Sequence, residues 1–271
     1  MAICSISPPP IEHNQGAVLV SFCEQIGTSW GKASEMTKQS IADCFIELVV
    51  AQPDPRRRID VTTLVKKLEI DRKTFYNHFD NTTDLVIWIF RARLAEKLRD
   101  RKFYQAELDY PAEELHDKYT DLPCYARFYG RREGELNQGP FFRTVCGVLN
   151  EQSEYCRRIF GFACYIDFSR YVELLFIPLF RTDIQIMLGE GRKLSASTHE
   201  FLAEYHATGL WGRVRLYFSY LNQSIPDQNL DPVWNYAHTA IRLTLDAMFE
   251  GPEGNATFHA QLAQKRCGRP L

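Results

Sequence analysis

Apolar residues recur at helical spacing through most of the chain, and the clearest series lies between residues 38 and 79. Its first helix carries apolar residues at positions i, i+4, i+7 and i+8, which form one face. These residues are Ile41, Phe45, Leu48 and Val49. The Gln-Pro-Asp-Pro segment at 52–55 predicts the end of this helix, and Thr37 is expected to cap its start.

Two short helices follow, separated by a tight turn at 69–71. Asp60 predicts an N-cap for the first of them. Its apolar face is formed by Val61, Leu64, Val65 and Leu68. The second spans 72–79, and its only large apolar residues are Phe75 and Phe79. The pattern therefore predicts a short helix with one buried face and one polar, basic face.

The rest of the chain is helical in character, but its pattern is less regular. A fourth helix is expected at 82–101, with Asn81 as its cap. Further helices are expected at 112–119, 140–152, 156–188 with a break or kink at Pro178, 199–223 and 232–249. No segment shows the pattern of a strand. The sequence thus predicts an all-α fold, with an N-terminal three-helix helix-turn-helix domain followed by a larger helical bundle.

The charge distribution distinguishes the region of the short helices from the rest of the chain. The 271 residues carry a formal net charge of -2, with 45% hydrophobic and 24% charged residues, as in a globular protein. Residues 56–79 nevertheless hold seven Lys and Arg against three acidic residues, a net charge of +4. Such local basic density favours binding to nucleic-acid phosphates through counterion release.

The polar face of the 72–79 helix is expected to contact double-stranded DNA. In a helix-turn-helix the second helix lies in the major groove, with its N-terminal residues on base edges. Arg72 and Lys73 are therefore expected to contact bases, and the hydroxyls of Thr74 and Tyr76 suit phosphate oxygens. The remaining expected contacts are Asn77, His78, Thr62 and Arg58. For His78 the alternative to a DNA contact is packing at the helix end. For the 56–58 run the alternative is plain exposure to solvent.

The segments Ile59–Leu64 and Ile70–Phe79, followed by Asp84-Leu85, resemble the DNA-binding domain of TetR/AcrR-family regulators. The Thr-Phe-Tyr-Asn-His-Phe sequence at 74–79 carries the resemblance, which covers about residues 36–101 and is similar to the DhaS-like subgroup. The resemblance implies an all-helical homodimer, paired through its last two long helices on a palindromic operator. It also implies an effector site in the C-terminal domain.

Two positions depart from the family's pattern. Glu69 stands where the turn usually has Gly, and a Cβ in a left-handed turn costs on the order of 1 kcal/mol. Thr82 stands where a phosphate-binding Lys is frequent. The Arg56–Arg58 run is the expected replacement for that contact if its loop reaches the DNA backbone.

The patterns and the resemblance together predict four segments of the chain. A flexible extension is expected at 1–35, the DNA-binding domain with its connecting fourth helix at 36–101, the ligand-binding and dimerisation domain at 102–250, and a polar tail at 251–271. The aromatic residues of the C-terminal half are expected to form core, or to line a ligand cavity. The candidates for a ligand contact are Phe162, Tyr165, Phe168 and Tyr171.

Two apolar stripes in the last helices are expected either to face the core or to form a two-fold four-helix interface. The first stripe consists of Leu210, Val214, Tyr217, Phe218 and Leu221. The second consists of Val233, Ala237, Ile241, Leu245 and Met248.

The leading hypothesis is a cytoplasmic, ligand-responsive repressor acting as a homodimer on DNA. The alternative is a DhaS-like regulator whose effector is a protein partner, and the third is a helical enzyme without a local motif. Known catalytic and nucleotide-binding motifs are missing from the sequence, so neither enzymatic activity nor a cofactor or metal is expected. The longest apolar stretch, 174–180, is too short for a membrane span of about 20 residues, so no membrane partner is expected.

Overall fold

A computed structural model describes residues 16–100, 106–132, 134–161, 165–219, 221, 225 and 230–249. Within these residues the fold is all-α, as predicted, with nine α-helices and one short hairpin. The helices are α1 (Gly16–Ala51), α2 (Val61–Leu68), α3 (Arg72–Tyr76), α4 (Thr82–Arg99), α5 (Gly139–Glu151), α6 (Ser153–Gly161), α7 (Ile166–Leu188), α8 (Ala196–Ser219) and α9 (Leu230–Phe249).

The first helix begins well before the predicted domain boundary. α1 starts at Gly16, so residues 16–35, for which the sequence predicts a flexible extension, are helical in the structure. The sequence has no proline between Pro10 and Pro53, and proline is the residue that most strongly interrupts a helix. Thr37 lies inside α1, where its hydroxyl donates to the carbonyl of Ala33 at 2.9 Å and caps nothing. The predicted start at 1–15 and the tail at 251–271 lie outside the described residues.

The segment between α4 and α5 differs from its prediction. Strands β1 (Glu107–Asp109) and β2 (Tyr125–Arg127) pair antiparallel, although no strand was expected. Three residues are too few to show a period of two in the sequence. The helix expected at 112–119 is reduced to a single 3-10 turn at Glu113–Leu115, which ends at His116 with φ +47°.

The long helix expected at 156–188 is interrupted near residue 161 and not at Pro178. Pro178 lies inside α7, which runs unbroken from Ile166 to Leu188. Tyr165 directly precedes the first turn of α7. Consequently α6 and α7 both pack against α8, and Tyr165 lies at the junction of the N-terminal helices with the C-terminal bundle.

The two predicted domains share a hydrophobic core. A continuous cluster of buried residues runs from Ile41 in α1 through Phe75 and Trp88 to Phe176 in α7 and Ile241 in α9. Movement of one part therefore requires repacking against the other. None of the described helices has the length and hydropathy needed to cross a membrane.

The described cysteines belong to the buried core. Cys44, Cys124, Cys146 and Cys156 are all buried and free of disulfides. Burial raises the pKa of the Cys124 and Cys156 thiols to about 12, because an apolar environment disfavours the thiolate. Both thiols are therefore protonated at neutral pH.

Candidate nucleic-acid interface

Side-chain caps fix the starts of α2, α3 and α4, the helices that carry or adjoin the predicted DNA contacts. The Asp60 carboxylate accepts from the amide of Thr63 at 2.7 Å, at the start of α2. Asp71 caps α3 in the same way, accepting from the amide of Thr74 at 2.6 Å. Asn81 caps α4 through two backbone amides. The predicted caps at Asp60 and Asn81 are thus confirmed, and α2, the turn and α3 have the arrangement of a helix-turn-helix.

The turn between α2 and α3 keeps a left-handed residue despite the absence of glycine. Glu69 has φ 55° and ψ 34°, and the amide of Ile70 donates to the carbonyl of Val65 at 3.1 Å. A residue with a Cβ at such a position costs on the order of 1 kcal/mol. Glu69 therefore imposes a local cost and does not change the course of the turn.

Two phenylalanines anchor α3 to the core. Phe75 and Phe79 are completely buried, and their ring centres lie 5.8 Å apart. Phe79 also packs edge-on against Trp88 of α4, at 5.6 Å. These contacts determine which face of α3 points inward, so the opposite face is available for a partner.

The exposed face of α3 contains most of the predicted DNA contacts. Arg72, Lys73 and Asn77 are exposed, and Tyr76 keeps 52% of its surface open to solvent. The Arg72 guanidinium donates to the hydroxyl of Thr62, at the start of α2. This bond holds Arg72 beside α2 and joins two predicted contact residues in one polar surface.

Thr74 and His78 are half-buried, unlike the other predicted contacts on α3. The His78 ring lies 6.3 Å from that of Phe79. Partial burial and the positive charge of Lys38 both lower the pKa of His78 below its usual value near 6.5. His78 is therefore mainly neutral at pH 7, which suits a directional hydrogen bond better than a charge interaction with phosphate.

Arg58 lies beside the first turn of α4. Its Nε donates to the hydroxyl of Thr82 at 2.9 Å, and Nη2 donates to the hydroxyl of Thr83. The guanidinium also lies over the ring of Tyr165, 5.5 Å from its centre. The loop before α2 thus brings a cation to the position where the family's pattern has a lysine, and the same cation contacts the C-terminal bundle.

Salt bridges reduce the positive charge of α2. Lys67 pairs with Glu47 of α1 at 3.0 Å, whereas Lys66 is exposed. The net charge of +4 counted along the sequence therefore overstates the free positive charge of the surface. The cations that remain exposed on α3 are Arg72 and Lys73.

A polar network that the sequence did not predict joins α4 to the segment before β2. Asp84, in the first turn of α4, accepts from the Tyr119 hydroxyl at 2.5 Å and from Lys118 at 2.7 Å. Lys118 also pairs with Asp80, directly after Phe79, at 3.1 Å. Charged contacts thus join the residues that follow α3 to the segment before β2. Local sequence patterns gave no signal for them, because the partners are more than 30 residues apart.

The predicted ligand contacts that the structure describes do not share one of its cavities. Phe162 lies outside the described residues. Tyr165 and Phe168 are each 3% exposed, and Phe168 borders a space of about 20 Å³, room for a single water molecule. Tyr171 is half-buried and lines a cavity of about 260 Å³ together with Leu115 and Leu174. The core alternative therefore fits Tyr165 and Phe168 better.

Asp60 gives the first stability prediction. The hydrogen bond from Thr63 lowers the pKa of the Asp60 carboxyl, so its charge stabilises the fold above about pH 4 and the effect is lost as the pH falls through the lowered pKa. Asp60→Asn keeps a capping oxygen without the charge. We expect the wild type to be more stable than this variant by less than about 1 kcal/mol at pH 7, since the site is exposed.

That difference should decrease as the pH falls through the lowered pKa of Asp60. Urea unfolding followed by circular dichroism at a series of pH values from 7 down to 2 measures it, and the variant serves as the control for all other carboxyl groups. A constant difference between the two proteins over the whole series would contradict the assignment of the charge effect to Asp60.

Comparison with known proteins gives a partial similarity. No family model matches the chain. Over 73 residues the chain is 36% identical to the HTH-type dhaKLM operon transcriptional activator DhaS of Lactococcus lactis subsp. lactis (strain IL1403). The match covers 27% of this chain and 38% of that protein, so the chain spans well under half the length of this relative. The similarity supports a role in transcription regulation.

Proposed function

We propose that the chain is a sequence-specific, DNA-binding transcription regulator of the TetR/AcrR type that acts as a homodimer on a palindromic operator. The observation that carries the proposal is the orientation of α3. It buries Phe75 and Phe79 and leaves Arg72, Lys73 and Tyr76 exposed. A recognition helix needs this distribution, because its outward side chains must reach base edges in the major groove.

The experiment that tests this proposal is a gel-shift titration against the region upstream of the chain's own gene. We expect a sequence-selective shift that weakens as salt rises, because phosphate contacts release counterions. Unrelated DNA of the same length is the control. Equal affinity for both DNAs, or no shift at low salt, would contradict the proposal.

The direction of regulation is the second part of the proposal. The sequence favoured a repressor that a ligand releases, whereas the similar Lactococcus protein is named an activator. We retain the repressor because it requires no contact with the transcription machinery. A promoter-reporter fusion decides between them: deletion of the gene should raise expression, and a fall would identify an activator.

The proposed dimer uses the face of α8 that is opposite the core. Leu210, Val214, Tyr217 and Phe218, one of the two stripes considered from the sequence, are buried within the chain. The opposite face presents Phe201 and Tyr205, which are 60% and 62% exposed and stacked at 5.9 Å. Exposed aromatic residues on a helix are enriched at protein interfaces.

Two further features of the last helices support this face. Gly212 lies on the same side of α8, and a Cβ there would meet nothing within 4 Å. A glycine inside a helix costs about 1 kcal/mol, so a closely approaching second helix would give it a purpose. On α9, Ala237, Ile241 and Leu245 are buried, whereas Leu243 is 64% exposed. A four-helix interface would cover both faces.

Phe201→Glu is expected to prevent dimerisation. In a two-fold interface each substitution occurs twice, and an aromatic anchor contributes about 2 kcal/mol per copy. The dimer dissociation constant should therefore rise by a factor on the order of 10³. Sedimentation equilibrium measures it.

Tyr110→Glu is the matched control for this variant. Tyr110 is an aromatic residue with 47% exposure in the segment before α5, outside the sequence of α8 and α9. This variant should dimerise normally. If both variants dimerised like the wild type, the interface would lie elsewhere.

The effector is proposed to be a small molecule, and catalytic activity is not part of the proposal. A cleft of about 710 Å³ at the base of α2 and α4 falls within the usual range for small-molecule sites. The alternative, a protein effector, needs no such cleft. A thermal shift with small molecules, compared with a pull-down by the tagged chain, separates the two.

A further inference from the structure

The cleft of about 710 Å³ lies between the start of α2, the first turns of α4 and the start of α7. Its apolar lining includes Ile59, Val61 and Ile87, and charged side chains surround this lining. The cleft is open to solvent, so a charged ligand could enter without losing all of its hydration. Apolar side chains placed beside charged groups can bind the two parts of a small amphipathic molecule.

Most charges around the cleft already have partners. Lys118 pairs with Asp80 and Asp84 at 3.1 and 2.7 Å. The Asp60 carboxylate caps α2. These contacts account for three of the four carboxylates and for one of the two cations that line the cleft.

Arg58 and Asp167 are the two remaining charged groups. In the part of the chain that the structure describes, neither forms an ion pair. Arg58 donates to the hydroxyls of Thr82 and Thr83, which are neutral acceptors. Asp167 is exposed in the first turn of α7. One cation and one anion thus line the same cleft without a charged partner.

The two groups approach the cleft from different parts of the molecule. Arg58 precedes α2 and lies over the ring of Tyr165, at 5.5 Å. Tyr165 stands two residues before Asp167. The contact with Tyr165 therefore brings the guanidinium to the end of α7 that carries the carboxylate. A ligand that offers both charges could pair with both groups at once.

We propose that this cleft binds a small zwitterion with an aliphatic side chain, of the class of free aliphatic amino acids. Its carboxylate pairs with Arg58, its ammonium group pairs with Asp167, and its side chain packs on Ile59, Val61 and Ile87. Guanidinium is the side-chain group that best matches a carboxylate, because it donates two parallel hydrogen bonds.

A regulatory consequence follows, and this part rests on the proposed function. The bound carboxylate would compete with Thr82 and Thr83 for the Arg58 guanidinium. Arg58 would then no longer hold the loop before α2 to the first turn of α4. The orientation of α2 and α3 relative to DNA would change as the ligand binds.

Isothermal titration calorimetry with the full chain tests the binding step without DNA. The probes are alanine, valine, leucine, isoleucine and methionine, each titrated separately. For the tightest of them, the matched acid without the amino group and the matched amine without the carboxylate are titrated as well; for leucine these are 4-methylpentanoate and 3-methylbutylamine. We expect at least one amino acid to bind. Both of its analogues should bind at least about tenfold more weakly, because each lacks one charged hydrogen bond.

Variants assign the binding to this cleft. Asp167→Asn and Arg58→Gln should each weaken binding of the amino acid by about tenfold or more. Arg56→Gln is the control, because Arg56 is an exposed neighbour that does not line the cleft. Asp167 has no ion pair to lose, so its variant tests the proposal even if Arg58→Gln folds poorly.

Two outcomes would overturn the proposal: binding of none of the five amino acids, or unchanged affinity in the Asp167→Asn variant. The gel-shift titration of the ligand-free protein is a separate measurement. If the protein binds its DNA but none of the five amino acids, this inference alone is refuted. If it binds an amino acid but not DNA, the proposed function is refuted and the assignment of the ligand site stands.

Discussion

Arg72→Ala is expected to weaken specific DNA binding by a factor between about 30 and about 10⁴. An arginine that contacts a guanine edge contributes about 1–3 kcal/mol, and a homodimer loses two such contacts. The expected loss is therefore about 2–6 kcal/mol, which corresponds to the stated range. A gel-shift titration with the operator measures the change.

The structure explains why Arg72 should contribute so strongly. Its guanidinium is held by the hydroxyl of Thr62, so less side-chain entropy is lost when it meets a base. Thr62→Val removes this acceptor and should produce a smaller loss of the same kind. Lys97→Ala is the matched control, because Lys97 pairs with Glu151 on a surface away from α3.

The loss should be selective for the operator. Affinity for unrelated DNA should fall much less than affinity for the operator, because a base contact carries sequence information and a phosphate contact does not. An equal fall for both DNAs would assign Arg72 to the DNA backbone. Wild-type affinity for the operator would remove Arg72 from the interface.

Arg91→Met is expected to lower the free energy of unfolding by about 3–5 kcal/mol, the usual cost of removing one partner of a buried ion pair. Arg91 of α4 is completely buried and pairs with Asp117 at 3.1 Å. It also donates to the Tyr171 hydroxyl at 2.7 Å and to the carbonyls of Tyr119 and Leu122. The variant leaves the buried Asp117 carboxylate without a cation.

Thermal and urea unfolding measure this effect. The midpoint should fall by about 6–20 °C, taking about 2–4 °C for each kcal/mol in a protein of this size. Arg99→Met is the control on the same helix, because the Arg99 guanidinium donates to the carbonyl of Asp121 at an exposed position, and no ion pair of Arg99 occurs among the described residues. It should change stability by less than about 1 kcal/mol.

A double substitution separates the buried charge from the loss of packing. Asp117→Asn in the Arg91→Met background should recover part of the lost stability, because the remaining buried group is then neutral. A loss below about 1 kcal/mol for Arg91→Met alone would mean that water reaches the pair. A double variant less stable than Arg91→Met would assign the loss to packing.

The helix-turn-helix was predictable because its signals are local. Asp60 and Asn81 cap helices within their own turns, and Phe75 and Phe79 are four residues apart, so one face of α3 follows from the sequence alone. The start of α1 was not predicted, because residues 1–35 show no sustained helical period of apolar residues.

The C-terminal half was harder to predict because its packing partners are distant in sequence. The stripe at Leu210–Leu221 could face its own core or a second copy. Only the contacts of α8 with α6 and α7 place its members from Leu210 to Phe218 in the core, whereas Leu221 is 44% exposed. Likewise, the aromatic residues at 165 and 168 fill space between helices. No periodicity within a single helix distinguishes that role from lining a cavity.

The sequence by itself determined the all-α class, the helix caps and the polar face of the recognition helix, because each depends on residues within two or three turns of one another. Only the tertiary structure decided that Arg91 is buried against Asp117, 26 residues away, and that Arg58 lies between α4 and Tyr165. Burial and charge pairing depend on which segments meet in space, and a pattern along the chain does not contain that information.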